Sequence, residues 1–191
     1  MPFHKSSMEN MAEDFRKQLN LSENDPLDPF KLEITDIQLV PISKISNFSE
    51  KHIKILIDEC SNQWSAMSVP LDPTQIRWVV VFNDIHEKER QRVSVLEEVW
   101  HILSGHKLTK IVKIGSQYSR TFETDEEHDA YYLASASLVP ETPLRKFVKI
   151  KGDLKEFSIK WGVSKELVEY RIKRLGLWYF YRERHVSIST K

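Results

Sequence analysis

The chain has one cysteine, no net charge and no long apolar run in its 191 residues. A lone Cys60 cannot form an internal disulfide, which fits a reducing compartment. Set close to Ile55, Leu56 and Ile57, it reads as a packing residue rather than a nucleophile. The longest apolar run, Trp78 to Phe82, falls far short of the roughly 20 residues a membrane helix needs. Met1-Pro2-Phe3-His4-Lys5-Ser6-Ser7 lacks the apolar stretch of a signal peptide, so a cytoplasmic location with no membrane partner is expected. Internal repeats and low-complexity segments are also missing. What is present is apolar material: 40% of the residues are hydrophobic, enough for a sizeable core and against disorder. The length suits one domain, or a compact domain with a small appendage.

The absence of net charge hides an asymmetry. Arg145 to Arg184 holds 12 Lys/Arg and 5 Asp/Glu, a balance of +7, whereas residues 1–144 carry −8. A basic C-terminal segment points to an acidic partner, nucleic acid included, although a solvated helical face has the same composition.

Periodicity predicts a helix over about Glu9–Leu21, ended by the Pro-rich stretch from Ser22 to Pro29. Ile34 to Val40 alternates loosely as a strand, and Ser49 resembles the N-cap of a helix reaching about Asn62. Trp64–Val69 and Ile76–Phe82 read as strands, the second a central one. A helix over Lys88–Ser104 has Val93, Leu96, Trp100 and Leu103 as its buried stripe, with Gly105 as its stop. Lys110–Ile114 is β-like, and a further helix spans about Asp125–Leu138. Asp153–Trp161 and Ser164–Leu175 form a helix pair, and Trp178-Tyr179-Phe180-Tyr181 reads as a final strand or a clamp.

The predicted helix over Lys88–Ser104 contains Glu97-Glu98-Val99-Trp100-His101. The HExxH pattern of zinc peptidases puts two histidines at i and i+4 on one helical face, with a glutamate between them to work on a bound water. Here His101 and Glu98 are in place, but Glu97 stands where the first histidine belongs. Glu97, Glu98 and His101 lie at about 0°, 100° and 40° around the helix, within one arc that can face one cleft. His106 falls about 180° from Glu97, past the glycine, and is a poor partner ligand unless the chain turns back. Taken alone, an ExxH pair is frequent, and a surface helix with charged residues on its wet face reads identically. Glutamate ligates zinc through oxygen at about 2.0–2.2 Å, so the change is compatible with metal binding.

The neighbouring residues extend the pattern. The run Glu89-Arg90-Gln91-Arg92-Val93-Ser94-Val95-Leu96-Glu97-Glu98-Val99-Trp100-His101-Ile102-Leu103-Ser104-Gly105-His106 resembles the ImmA/IrrE metallo-endopeptidase family, with its arginine-rich lead-in, HExxH core and trailing Gly-His. Trp64-Ser65-Ala66 followed by the strand to Asn83 is similar to the family's preceding segment. Glu127-His128-Asp129-Ala130-Tyr131-Tyr132-Leu133-Ala134-Ser135-Ala136-Ser137-Leu138-Val139-Pro140 is similar to its downstream acidic helix. The likeness covers roughly residues 60–178. It implies an α+β fold: a zincin-like metallopeptidase core with a small mixed sheet, an active-site helix and a C-terminal helix-turn-helix-like pair. By this resemblance Glu98 is the general base, His101 a metal ligand, Glu97 a substitute ligand, and Glu127 or Asp129 the third ligand. His128 between them is expected to be exposed, and Tyr131 replaces the family's usual Asn or Asp. The resemblance implies zinc as cofactor. Two carboxylates around one imidazole weaken the ion's Lewis acidity and shift preference toward Mn²⁺ or Fe²⁺. Without a cation, Glu97, Glu98 and an acid at 127–129 crowd like charges in one cleft.

In the C-terminal pair, Gly162 suits a turn, Val163 a plug between helices and Ser164 an N-cap, a helix-turn-helix cadence. Lys165, Arg171, Lys173 and Arg174 are then available to DNA phosphates. The segment also resembles the helical region that ends many ImmA/IrrE proteins, where it completes the fold. The expected organisation is a metallopeptidase-like part over residues 1–145 and a basic segment over 146–191. The expected activity is peptide-bond hydrolysis on a transcriptional repressor of a mobile element or stress regulon. The alternative is a peptidase-fold regulator without turnover that binds a repressor or DNA.

Overall fold

The computed structural model describes residues 4–45, 50–59, 61–71, 74, 76–107, 110–114, 117–121 and 124–182. Cys60 and Ser49 lie outside the described residues. Helix α1 spans Lys5–Gln18 and strand β1 Ile37–Pro41; α2 is Glu50–Lys54, continued by a π-helical turn over Ile55–Glu59. Strands β2 (Ala66–Pro70) and β3 (Trp78–Phe82) precede α3 (Lys88–Leu103). A hairpin of β4 (Lys110–Ile114) and β5 (Gln117–Thr121) leads to α4 (Thr124–Leu138). Then come α5 (Glu141–Ile150), α6 (Leu154–Trp161), α7 (Lys165–Arg174) and α8 (Trp178–Arg182). The fold is mixed α+β, as the sequence implies.

Contacts divide the chain into two compact units, Asp28–Ala134 and His4–Leu27 with Ser135–Lys191. This grouping takes α1 out of the segment 1–145 and joins it to the C-terminal helices. The division falls within α4.

The first unit is built on a mixed sheet in the order β1-β3-β2, with β1 parallel and β2 antiparallel to β3. The Trp-Val-Val-Val-Phe run of β3 is central because its branched and aromatic side chains suit a strand buried on both faces. Ile42, Trp64 and Val81 close one side of the core with Leu56 and Ile57 against them. Helix α3 packs on β2 and β3. Its entry is fixed by the buried Gln91, whose Nε2 donates to the carbonyls of Asp84 (3.1 Å) and His86. Asp84 in turn accepts from the Ser43 hydroxyl at 2.6 Å and the Ser43 amide at 3.2 Å. The buried stripe of α3 is shifted from the predicted one: it keeps Leu96 and Trp100 but takes Val95 and Val99 in place of Val93 and Leu103. Val95, Leu96, Val99 and Trp100 are buried, whereas Val93 is half-buried and Leu103 is exposed.

In the second unit, two buried arginines replace apolar packing at key joints. Arg16 of α1 donates to the carbonyls of Ser137 (2.8 Å), Ser22 (2.7 Å) and Asp25, and its burial lowers its pKa. Arg171 of α7 is fully buried. It donates to the Val139 carbonyl (3.1 Å) and forms a two-pronged ion pair with Glu9 at 2.7 and 2.8 Å. The α6–α7 pair forms as expected. Asp153 caps α6, Gly162 takes φ +61°, Val163 is buried, and Ser164 accepts from the Leu167 amide at 3.2 Å.

Two elements differ from the sequence expectation. Helix α5, for which the sequence reading assigned nothing, begins directly after Pro140. Its own Pro143 sits in the first turn, where a missing N–H costs nothing, and Leu144, Phe147 and Val148 give it a buried face. Trp178–Tyr181, read as a strand or clamp, is the helix α8. Helical spacing puts Trp178 and Tyr181 on one side (5.7 Å between rings), with Tyr181 near Phe147 (6.4 Å).

Candidate metal centre

The centre lies in the first unit, where α3 faces the start of α4. His101 is buried, and its Nε2 stands 3.6 Å from Oε2 of Glu127. Two ligands of 2.0–2.2 Å on one tetrahedral ion would be separated by about 3.4 Å, so this spacing is that of donors flanking a common point. Of the two acids left open by the sequence, Glu127 faces the His101 nitrogen. Asp129 is buried and acts electrostatically on His106 alongside Glu126 and Glu127. His128 is exposed, as expected.

Glu97 and Glu98 share the α3 arc with His101. Burial, together with the charges of Glu98 and Glu127, pushes the Glu97 carboxyl up to about 8. Burial also raises Glu98, as does Glu127, while His101 and Ser68 of β2 pull it down. Each residue keeps some open surface, yet Oε2 of Glu98 is buried and has no hydrogen-bond partner among the described residues. That orphaned oxygen and the repulsion among three carboxyls are the chemistry a divalent cation relieves. The donors therefore fit such an ion in kind, and in the His101–Glu127 spacing. Among the described residues, however, no three His, Cys, Asp or Glu side chains converge closely enough to form a finished cation site.

His106, a poor partner in helical projection, is brought back by the end of α3. Gly105 adopts φ +67°, its amide bonds the Ile102 carbonyl at 3.0 Å, and the His106 amide bonds the His101 carbonyl at 3.0 Å. This paired C-terminal turn returns the chain on itself. It sets Nδ1 of His106 3.0 Å from Nδ1 of His101, with the ring planes at 70°. Burial lowers the His106 pKa, as does His101, against the opposing pull of Glu126, Asp129 and Glu127. The sequence signal for this contact was the Gly-His dipeptide itself, whose left-handed glycine reverses the projection.

The candidate nucleic-acid residues divide. Lys165, Lys173 and Arg174 are exposed; the Lys173 ammonium lies 4.5 Å over the Trp178 ring, and the Arg174 guanidinium 5.4 Å over the Tyr170 ring. Arg171 corrects the expectation, because a fully buried guanidinium paired with Glu9 cannot reach a phosphate.

A family model described as the IrrE N-terminal-like domain, a peptidase family, matches residues 51–173, a span that holds Glu97, Glu98, His101, Glu127 and Asp129. No curated protein matches the chain.

Proposed function

The chain belongs to the IrrE N-terminal-like peptidase family, and from that premise we propose that it is a metal-dependent endopeptidase acting on a transcriptional repressor of a mobile element or stress regulon. Family membership makes it metallopeptidase-like; the repressor substrate, the residue roles and zinc as the ion are the proposed part. The observation that carries the reading is the buried His101 Nε2 facing Glu127 at 3.6 Å, beside a Glu98 whose Oε2 is buried. His101 and Glu127 are the first two donors, and Glu97 is the third. A divalent cation bound there supplies Lewis acidity to the scissile carbonyl and the attacking water. Glu98 takes the water's proton and returns it to the leaving amine.

A second reading, a peptidase-fold regulator without turnover, is favoured by two observations. Glu97 replaces a neutral imidazole with a carboxyl that holds its proton to about pH 8, and no finished three-donor group is formed among the described residues. Metal analysis of purified protein separates the two. Stoichiometric metal in the wild type and in Glu98→Gln, lost in His101→Ala, is expected. With metal present, cleavage of a candidate repressor should vanish in Glu98→Gln. A wild-type protein free of metal at neutral pH after zinc or manganese addition removes the peptidase reading and leaves the regulator.

A further inference from the structure

A histidine ring can offer a lone pair from only one nitrogen while the other keeps its proton, so whatever binds the second nitrogen decides which one is free. In His101 the nitrogen facing Glu127 is Nε2. At 3.6 Å that approach is too long for a hydrogen bond, whereas Nδ1 is 3.0 Å from Nδ1 of His106, a true hydrogen-bond distance. We propose that His106 is a positioning residue for His101: it accepts the His101 Nδ1 proton and so holds the Nε2 lone pair toward Glu127. The proposal rests on reading His101 as a cation donor.

Three features support it. The contact is not an accident of two mobile surface rings, because His101 is buried and the same two residues are also joined by the His106 amide to His101 carbonyl bond. The turn that makes that bond depends on the left-handed Gly105, so the backbone delivers the ring to this place. The ring centres are 5.1 Å apart with the two Nδ1 atoms 3.0 Å apart between them, so the nitrogens meet edge to edge with the planes twisted by 70°, as an N–H reaching an in-plane lone pair requires. His106 then carries its own proton on Nε2. Second partners of this kind fix the tautomer and the aim of a ligating imidazole, and their loss typically weakens metal binding by about 10- to 100-fold.

His106→Phe keeps an aromatic ring and the backbone turn but removes the acceptor. His106→Asn places an amide oxygen close to where Nδ1 was. Zinc titrations and ¹⁵N NMR of the histidine rings are compared in the full chain. The proposal expects His101 to carry its proton on Nδ1 in the wild type, with zinc affinity about 10- to 100-fold weaker in His106→Phe and largely recovered in His106→Asn. Equal zinc affinity in wild type and His106→Phe overturns it, as does a loss that His106→Asn does not recover. Should Phe prevent folding, His106→Leu takes its place in the same comparison. If the wild type takes neither zinc nor manganese, the peptidase reading fails but this proposal is still decided. A metal-free His101 protonated on Nδ1 in the wild type and shifted toward Nε2 in His106→Phe supports it, and an Nε2-protonated wild type overturns it.

Discussion

Glu97 is the residue at which this chain departs from the zinc-peptidase pattern, and its surroundings act on its charge before they act on any metal. A carboxyl that titrates at about 8 in the fold, against an ordinary 4.5, is protonated where the unfolded chain is ionised. Between those values the folded state binds more protons than the unfolded one, so stability falls as pH rises through the window. Below it both states are protonated and nothing is lost; above it the full penalty, on the order of a few kcal/mol, is present. In EDTA, urea unfolding followed from pH 5 to 9 should therefore show the wild type losing stability relative to Glu97→Gln. Curves that run parallel across that range would remove the buried-carboxyl account. Glu98 is raised too, and because its charge acts on Glu97 the comparison reads the coupled pair rather than Glu97 alone. Much of this was legible in the sequence: Glu97, Glu98 and a downstream acid were expected to crowd one cleft. Which acid stands across from His101 was not, because two acids two residues apart on a helix differ by about 200° in direction and only the start of α4 puts Glu127 there.

At the scale of elements, the helices with a clear cap and a clear apolar stripe were the readable ones. Gly162, Val163 and Ser164 placed the α6–α7 turn, and Gly105 placed the end of α3. Helix α5 had no sequence expectation, and its start carries Pro140 and Pro143, both where a helix start tolerates them. Helix α8 was hidden because four consecutive aromatics carry strand propensity, which packing on Phe147 overrides. The same limit misassigned Arg171. On α7, charge pattern alone could not distinguish it from Lys173 and Arg174, since the Glu9 that buries it lies 162 residues away in sequence. This sorting has a measurable consequence. Arg171→Ala strands a largely buried Glu9 carboxylate and should cost about 3–5 kcal/mol in chemical denaturation. The double reversal Lys173→Glu/Arg174→Glu, on exposed positions, should stay within about 1 kcal/mol of wild type. Any salt-dependent DNA binding should disappear in that double variant, and retention of such binding there would exclude α7 as the contact.

For the molecule as a whole, cation binding and folding are one equilibrium. An ion that binds the folded chain and not the unfolded one stabilises it by about 2.7 kcal/mol at a hundred times its Kd. For a chain of this length that corresponds to roughly 5–10 °C in melting temperature. The charge distribution favours such binding, because residues 1–144 carry −8 while the compensating positive charge lies in the C-terminal segment. Long-range attraction of that kind is screened within about 10 Å at 0.1 M salt, so it speeds capture of the ion more than it holds it. On the proposed reading, retention falls to His101, Glu127 and a third carboxylate. Zinc should accordingly raise the melting temperature of the wild type by several degrees, and EDTA should reverse the rise. Glu98→Gln should keep the shift, since a base is not a donor, and His101→Ala should lose it. A shift that survives in His101→Ala would place the ion elsewhere in the acidic part of the chain. A wild type indifferent to zinc and to manganese would mean that the carboxyl at position 97 keeps its proton in preference to a metal, and that the fold has kept a peptidase's framework for binding alone.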